Sequence, residues 1–552
     1  MPESGSTFGQ KGGGAASLAV PLAGWRLLLA GSVIVLAVWA TYANSLSAPF
    51  VFDDLKSITL NPSIRQLWPP GPVLSPPPGG GLSGRPLVNL SFALNYAVGG
   101  EVVWGYHAVN LAIHTLAALT LLGVVRRTLL RPALAGRFGA VALPLAWSVA
   151  LIWALHPLQT EAVTYLSQRT ESLMGLCYLL TLYAFIRGVE STATVRWLSL
   201  SVAACWLGAA SKEVMATAPL AVLLYDRTFA AGTFRAAWRQ RRTFYLGLAG
   251  SWLLLAWLMR DLAARQVGYG LGVSGWNYAL TECRAVVQYL GLAVWPHPLN
   301  FDYGTGVLQP TAATGPCVVL IVLLAGGTLW ALRRRPVIGF VAAWIFLILA
   351  PSSSVVPVAL QPMAEHRMYL PLAGVVVFAV MGLRDWFGRW STLAVAVLAV
   401  GLGGLTAQRN EAYRSELALW ADTVAKRPDN ARAQTNLGTA LARIGRLDGA
   451  CRHFLAAVRL TPDDPMARYN LGNVLLELDR PEDALVQCEA AVRLRPGFAE
   501  ARNNLGSALA QLGRRDEAQA QFEKALRLQP DYAPARGNLD QLQALRAGRP
   551  GR

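Results

Sequence analysis

TYANSLSAPFVFDDLKSI, Thr41–Ile58, is the stretch around which this chain is organised. It begins where the first long apolar run ends, and it carries two adjacent carboxylates, Asp53 and Asp54, directly after an aromatic residue, Phe52. Neighbouring acids repel each other, and beside a membrane surface that repulsion raises at least one pKa unless cations or hydrogen bonds compensate. Two interpretations follow: a solvated loop in which Asp54 caps the short run LKSI, or a general base at the membrane face.

The composition indicates a membrane protein. Of 552 residues, 54% are hydrophobic and only 15% are charged, and the mean hydropathy is +0.37. A water-soluble surface cannot be built from that mixture, so much of the chain must lie in lipid. The net charge of +17 is spread in short clusters between apolar runs, which is typical of cytoplasmic anchors and not of a nucleic-acid binder. The six cysteines show neither a metal-site nor a disulfide spacing.

Eleven apolar runs predict membrane crossings. Their ends are approximate, because several runs are shorter than the roughly 20 residues that a spanning helix needs. They lie near Gly24–Ala43, Tyr106–Val125, Val141–His156, Ser172–Arg187, Trp197–Ala210, Val214–Tyr225, Phe244–Met259, Gly315–Leu332, Val337–Ser354, Met368–Leu383 and Thr392–Ala407. Arginine clusters follow every second run and fall on one side if the N-terminus is cytoplasmic. The stretch Trp276–Trp295 breaks this alternation if it crosses, so it is predicted to be an amphipathic or re-entrant helix on the outer face.

This orientation places the Asp53-Asp54 loop and the whole C-terminal part outside the cytoplasm. Residues 1–23 are predicted to be a disordered cytoplasmic N-terminus, and residues 24–410 a transmembrane domain with a long first outer loop over 44–105. The end of that loop, RPLVNLSFALNYAVGG, predicts a short helix on the membrane surface.

A repeat occupies the C-terminal quarter. Prolines recur every 34 residues at Pro428, Pro462, Pro496 and Pro530, and the triplet Asn-Leu-Gly recurs in the same phase. This register, with small residues where paired helices approach closely, is that of the tetratricopeptide repeat (TPR). Three repeats are predicted over 431–532, after a connecting helix at 411–430 and before a capping helix and tail at 533–552. Stacked repeats form an α-solenoid whose groove binds an extended peptide or a protein partner.

The predicted outer links carry ionisable side chains that a lipid-facing segment would exclude. Ionisable groups at membrane depth are energetically costly and usually mark functional sites. They include Arg85, His107, His156, Glu161, Arg169, Glu171, Lys212, Glu213, Asp302, Glu365, His366 and Arg367. Each also has a plain structural interpretation: Lys212 and Glu213 can form a structural pair, and His107 and His114 can bond a neighbouring helix. Together, a carboxylate that accepts a proton and several cations suit transfer from a phosphate-linked donor. Since the chain has no Walker motif and no GxGxxG in a strand–turn–helix setting, nucleotides are not an obvious donor.

Five of these segments, followed by TPRs, resemble a known family: YANSLSAPFVFDD, RPLVNLSFALNYAVGG…YHAVNLAIH, LHPLQTEAV…RTE, SKE and EHRMYLPLAG. They look like the transmembrane and tetratricopeptide repeat-containing O-mannosyltransferase-like proteins and their bacterial relatives, of the C-type glycosyltransferase superfamily. The resemblance implies an all-α polytopic bundle of about 11 helices with the catalytic acid on the first outer loop. It also implies a polyprenyl-phosphate-linked sugar as donor and inversion at the sugar carbon.

On that resemblance each candidate receives a role. Asp53 or Asp54 would be the base, and the donor phosphate would bind Arg85, Arg169, Lys212 and Arg367. The sugar or acceptor pocket would be shaped by His107, His156, Glu161, Glu213 and His366. No metal site is indicated, although two carboxylates can hold a divalent cation weakly.

We therefore expect an integral-membrane glycosyltransferase of a bacterial inner membrane, with a periplasmic TPR domain. The group it transfers is expected to be a sugar, with mannose as one candidate. The expected acceptor is a hydroxyl group, with protein Ser/Thr as the first choice. One alternative is a catalytically inactive, membrane-anchored TPR scaffold, which would not need the charged outer face. A transporter is disfavoured because the ionisable residues gather at one face and not at mid-membrane.

Overall fold

The computed structural model describes residues 19–77, 81–260, 274–304, 306–307, 314–353 and 361–546, and within these ranges the regular structure is helical. Most of the N-terminal tail, the middle of the first outer loop and the chain end at 547–552 lie outside these ranges. The membrane part contains α1 (Ala19–Thr41), α2 (Pro70–Leu74), α3 (Pro86–Gly99), α4 (Val103–Leu129), α5 (Pro132–Phe138), α6 (Ala142–Leu155), α7 (Thr160–Thr164), α8 (Arg169–Glu190), α9 (Thr194–Ala209), α10 (Ala218–Phe229), α11 (Phe234–Leu258), α12 (Gly275–Val294), α13 (Thr314–Arg334), α14 (Pro336–Leu349), α15 (Pro371–Phe387) and α16 (Ser391–Asn410).

Each of the eleven predicted apolar runs lies mainly on one of these helices, although α1 begins at Ala19 and not at Gly24. Six helical stretches in the described part of the chain are long and apolar enough to cross a membrane. The exact number of crossings stays a prediction. The surface agrees with a lipid environment: α13 is apolar on all sides yet exposes large side chains such as Val322, Leu323 and Trp330.

The core of the bundle lies around α4, α6 and α8. Most of α6 is buried, including the run from Ser148 to Leu155, and α4 packs against both α6 and α8. A helix that is apolar all round and buried belongs to the middle of a bundle. The segment that follows α6 therefore enters the outer face from the most enclosed part of the molecule.

The arginine-rich end of the bundle lies where α4, α5, α8, α10 and α11 meet. Arg127 and Arg131 both pair with Glu190, at 2.5 and 3.5 Å. Arg241 pairs with Asp226 at 2.9 Å. These contacts bring three predicted cytoplasmic links to one end, as the alternation of arginine clusters requires.

The repeat region follows directly from α16. It consists of α17 (Glu416–Lys426), α18 (Ala431–Arg443), α19 (Leu447–Leu460), α20 (Pro465–Glu477), α21 (Pro481–Leu494), α22 (Ala499–Gln511), α23 (Arg515–Leu528) and α24 (Ala533–Arg546). Helices α18 to α23 form three antiparallel pairs. The glycine of each Asn-Leu-Gly triplet explains the close approach within a pair: a Cβ on Gly506 would lie 2.6 Å from the Phe522 ring. Gly438 and Gly472 are equally close to Phe454 and Cys488.

The first outer loop contacts the helix that leads into the repeats, and the first repeat contacts the loop after α12. Phe52 packs edge-on against Trp420 of α17, with ring centroids 5.2 Å apart, and against Phe301 at 5.9 Å. Arg432 of α18 pairs with Asp302, and its Nη2 is 2.7 Å from Oδ1. The aspartate pair and the solenoid therefore lie at the same end of the bundle, which the single predicted pocket requires.

Candidate active site

The segment from the end of α6 into the first turn of α8, residues 156–171, organises the candidate site, and we call it the connecting segment. It contains the short helix α7 and a turn at Leu166–Gln168, and its polar side chains are almost all buried. Four of these side chains bond residues outside the segment. Tyr165 and Ser167 bond the Asp53-Asp54 pair, Glu161 bonds His366, and Glu171 bonds Lys212. This one segment therefore joins most of the predicted candidates.

Asp54 is held as a structural group. Its Oδ1 accepts hydrogen bonds from the Ser167 backbone N–H at 2.7 Å and from the Ser167 hydroxyl at 2.6 Å, and its Oδ2 accepts one from the Val51 N–H at 3.2 Å. It makes no side-chain capping bond to the turn at Leu55–Thr59, so the predicted cap is wrong. Burial raises the pKa of Asp54 to about 7, against the opposing effect of these hydrogen bonds.

Asp53 is the more accessible member of the pair. Its side chain is only partly buried, and its backbone N–H donates to the Tyr165 hydroxyl at 3.1 Å. Burial raises the pKa of Asp53, while Lys56, a hydrogen bond with Tyr165 and the charge of Arg432 act in the opposite direction. A carboxyl group with a raised pKa and a partly open face can accept a proton from a substrate.

The backbone in front of the pair is strained. Phe52 has a positive φ of 49°, which a non-glycine residue adopts only when its surroundings hold it there. Its ring lies between Trp420 and Phe301, and this packing supplies the constraint. The turn directs Asp54 inward and leaves Asp53 partly open.

Glu161 and His366 form a second buried contact. The backbone N–H of His366 donates to Glu161 Oε2 at 2.9 Å, and its ring Nδ1 lies 2.8 Å from Oε1. Burial raises the pKa of Glu161 to about 7. Burial first, and then the charge of Lys212, holds the pKa of His366 well below its usual range.

Lys212 and Glu213 do not pair with each other, so the structural-pair interpretation of these neighbours is wrong. The Lys212 ammonium contacts Glu171 in a buried ion pair. Glu213 lies 3.8 Å from Arg85 across a partly exposed contact. Arg85 keeps a buried Nε with no partner among the described residues, so it retains a free donor.

Arg169 and Arg367 are engaged by protein acceptors. Arg169 is fully buried, bonds the side-chain oxygens of Asn110 and Asn95 at 2.6 Å each, and also bonds the Tyr106 carbonyl at 2.9 Å. Arg367 bonds Glu282 and several backbone carbonyls, among them that of Pro362 at 2.6 Å. Guanidinium groups used in this way orient the outer loops and have few donors left for a ligand.

The predicted histidines bond backbone groups. His107 Nε2 lies 2.9 Å from the Ala48 carbonyl, and His156 Nε2 lies 3.2 Å from that of Ala293. His114 contacts both Tyr369 and the Ala154 carbonyl, as the neighbouring-helix interpretation predicted. Histidines used in this way fix one loop or helix against the next.

Several residues near the candidates were not singled out from the sequence. Tyr165 and Ser167 lie inside a quoted stretch, but nothing in its pattern marks them as partners of the aspartates. Arg432 comes from the first repeat, and no local signal connects it to Asp53. Within the described ranges there is no cluster of three or more His, Cys, Asp or Glu that could hold a metal ion.

Comparison with known proteins agrees with both parts of this architecture. A family model described as tetratricopeptide repeat matches residues 403–465 and 469–533. The chain is 26% identical to protein O-mannosyl-transferase Tmtc1 of Drosophila melanogaster, over 74% of this chain and 59% of that protein. It is 26% identical to the Tmtc3 protein of the same fly, over 79% and 55%, and 25% identical to human protein O-mannosyl-transferase TMTC1, over 82% and 58%. The chain thus spans little more than half the length of these curated relatives.

Solved structures of TPR proteins resemble part of this chain. YrrB, a TPR protein described as having an unusual peptide-binding site, is 28% identical and aligns over 28% of this chain and 79% of its own, with a TM-score of 0.23. The Arabidopsis OM64 TPR domain is 24% identical, over 20% and 93%, with a TM-score of 0.20.

Proposed function

We propose that this chain, a homologue of the TMTC protein O-mannosyl-transferases, transfers a sugar from a polyprenyl phosphate to an acceptor hydroxyl outside the cytoplasm. The observation that carries the proposal is the environment of Asp53: a carboxyl with a raised pKa, partly open, at the end of the bundle where the first repeat begins. Neither a structural loop nor a lipid anchor needs such a group. The bacterial inner membrane and a periplasmic repeat domain belong to the same proposal.

Asp53 acts as the general base in the proposed reaction. It takes the proton of the acceptor hydroxyl as the oxygen forms its bond to the sugar carbon, and the bond from that carbon to the phosphate oxygen breaks. The attack and departure occur on opposite faces, so the configuration inverts. The electron pair of the broken bond leaves with the polyprenyl phosphate, whose growing negative charge needs a cation.

Arg85 is the best supported of the predicted phosphate-binding residues. Its side chain is partly exposed, its contacts with Glu213 and the Gly81 carbonyl are long, at 3.8 and 3.5 Å, and its Nε has no partner among the described residues. Arg169, Lys212 and Arg367 bond protein acceptors more closely. We assign positioning roles to those three. Glu161 and His366 act with them by fixing the 365–368 turn against the connecting segment.

The solenoid presents the acceptor in this proposal. Arg432 of the first repeat lies close enough for its charge to lower the pKa of Asp53, and α17 packs on Phe52. A peptide in the groove of the repeats would therefore reach the aspartate without leaving the protein surface. The preferred acceptor is Ser or Thr of an extended peptide.

The test compares Asp53→Asn with Asp54→Asn in the full chain. Transfer from a polyprenyl-phosphate mannose to a Ser/Thr peptide should fall by about 10²- to 10⁴-fold in Asp53→Asn while the level in the membrane is unchanged. Asp54→Asn should instead reduce the amount of folded protein, because three hydrogen bonds converge on that carboxylate. Full activity of Asp53→Asn would remove the assignment.

One observation favours the alternative of an inactive scaffold: three of the four predicted phosphate-binding cations are used by protein groups. The two functions differ in what the purified chain does alone. A transferase releases polyprenyl phosphate from the donor in the presence of acceptor peptide, whereas a scaffold releases none.

A further inference from the structure

Two adjoining cavities lie between the membrane part and the start of the repeats. They have volumes of about 450 and 360 Å³ and share His297 and Lys426 in their walls. Their walls come from the loop after α12, the end of α16 and the beginning of the repeats. Cavities of this size are typical of sites for small organic ligands.

Buried polar atoms without partners concentrate at these cavities. Asn300 is 2% exposed, and within the described residues neither its side-chain oxygen nor its nitrogen has a hydrogen-bond partner. Arg409 is 7% exposed and bonds Asp422 through Nη1 at 2.7 Å, but its Nε and Nη2 have no hydrogen-bond partner in the part of the chain that the structure describes. A buried polar group without a partner destabilises the folded protein, so these atoms favour a polar occupant.

The occupant must both accept and donate hydrogen bonds. Arg409 and the Asn300 amide nitrogen offer donors, whereas the Asn300 amide oxygen offers an acceptor. A phosphodiester group can only accept hydrogen bonds, whereas a hydroxyl group can both donate and accept them. The charges also argue against a strong anion site, since Asp422 already pairs with both Arg409 and Lys426, at 2.7 Å each.

Aromatic rings complete the lining. Trp295 and Tyr303 line the same cavity as Asn300, together with Gln288. Aromatic faces beside amide and guanidinium groups suit a ring that carries both C–H surfaces and hydroxyls. We propose that these cavities form a carbohydrate-binding site at the junction of the membrane part and the repeats.

This site is separate from the Asp53 site and does not rest on the proposed transfer reaction. Phe301 packs against Phe52 and Tyr165 on the aspartate side, with centroid distances of 5.9 and 5.2 Å. The residues flanking it, Asn300 and Tyr303, line the cavity. The site can therefore hold a glycan on an acceptor or a second sugar while Asp53 is free.

The test measures sugar binding by the full chain in lipid nanodiscs, because detergents with glucoside or maltoside heads would compete. The probes are methyl α-mannoside, methyl α-glucoside and inorganic phosphate, each followed by saturation-transfer NMR and titration. Trp295→Ala, at a side chain that is 73% exposed, should weaken sugar binding at least tenfold without loss of folding. Trp276→Ala, at the other end of α12 and 70% exposed, is the matched control and should bind as the parent does.

A second variant, Asn300→Ala, should also weaken binding at least tenfold. The proposal is overturned if neither sugar shows saturable binding, if inorganic phosphate binds in their place, or if both tryptophan variants lose affinity equally. Asp53→Asn should retain full sugar binding, so a failure of the transferase assignment would not be mistaken for a failure of this site.

Discussion

The buried pair of Lys212 and Glu171 gives a sharp test of how the outer face is held together. The side chains are 8% and 2% exposed, so each charge depends on the other. Lys212→Met alone leaves Glu171 buried and uncompensated, and we expect a destabilisation of about 3–5 kcal/mol. The double variant Lys212→Met/Glu171→Gln removes both charges and should lie within about 1 kcal/mol of the parent, because replacement of a whole buried pair is often neutral or stabilising.

The assay is thermal unfolding of the full chain in nanodiscs, followed by transfer kinetics. The single variant should unfold several degrees below the parent, and the double variant should recover most of that loss. When the double variant is as stable as the parent, its transfer rate shows whether Lys212 contacts the donor. As a positioning residue Lys212 should leave transfer within about tenfold of the parent, whereas loss of a cation bound to the phosphate costs about 10²-fold or more.

The matched control is Arg480→Ala, which breaks an exposed pair with Asp483 in the repeats and should change stability by less than about 1 kcal/mol. The reasoning is refuted if the double variant is as unstable as Lys212→Met. A double variant that is stable but inactive would show that Lys212 binds the donor phosphate and is not a positioning residue.

Three further predictions follow from other parts of the molecule. Burial raises the pKa of Glu365 to about 7 from an ordinary value near 4.5. The folded parent therefore loses stability as the pH rises between those two values, because the unfolded chain releases this proton first. Glu365→Gln lacks that proton, so its melting temperature should rise relative to that of the parent between pH 5 and pH 8. Gly506→Ala places a Cβ 2.6 Å from a phenylalanine ring and should cost about 1–3 kcal/mol in thermal unfolding of the chain. Arg432→Ala removes a charge that lowers the pKa of Asp53, so the acid limb of the transfer rate should move to higher pH.

Each of these has a control within the chain. A melting-temperature difference for Glu365→Gln that stays constant with pH would contradict a raised carboxyl pKa. Gly497→Ala, where no atom lies within 4 Å of the added Cβ, should leave stability nearly unchanged. Arg443→Ala breaks an exposed pair with Glu416 at 2.6 Å, and a shift of the acid limb as large as that of Arg432→Ala would count against the specific effect.

The sequence alone predicted most of the secondary structure, because hydropathy and repeat period are local properties. The runs on α1, α4, α6 and α8 are apolar over a helical length, so lipid or a core is their only stable environment. The 34-residue period likewise required paired helices that approach at glycine, and Gly438, Gly472 and Gly506 meet a neighbouring side chain at that position. The motifs also predicted the relationship to O-mannosyl-transferases that the comparisons support.

Only the tertiary structure decided which ionisable groups meet. Lys212 pairs with Glu171, 41 residues away, and not with its neighbour Glu213, because packing brings the connecting segment next to Lys212. Asp54 is fixed by Ser167, which leaves Asp53 as the candidate base, and Arg432 reaches that site from the solenoid. A sequence states which residues are charged, but the partner of a buried charge depends on distances between segments that are far apart in the chain, and those distances are set by packing.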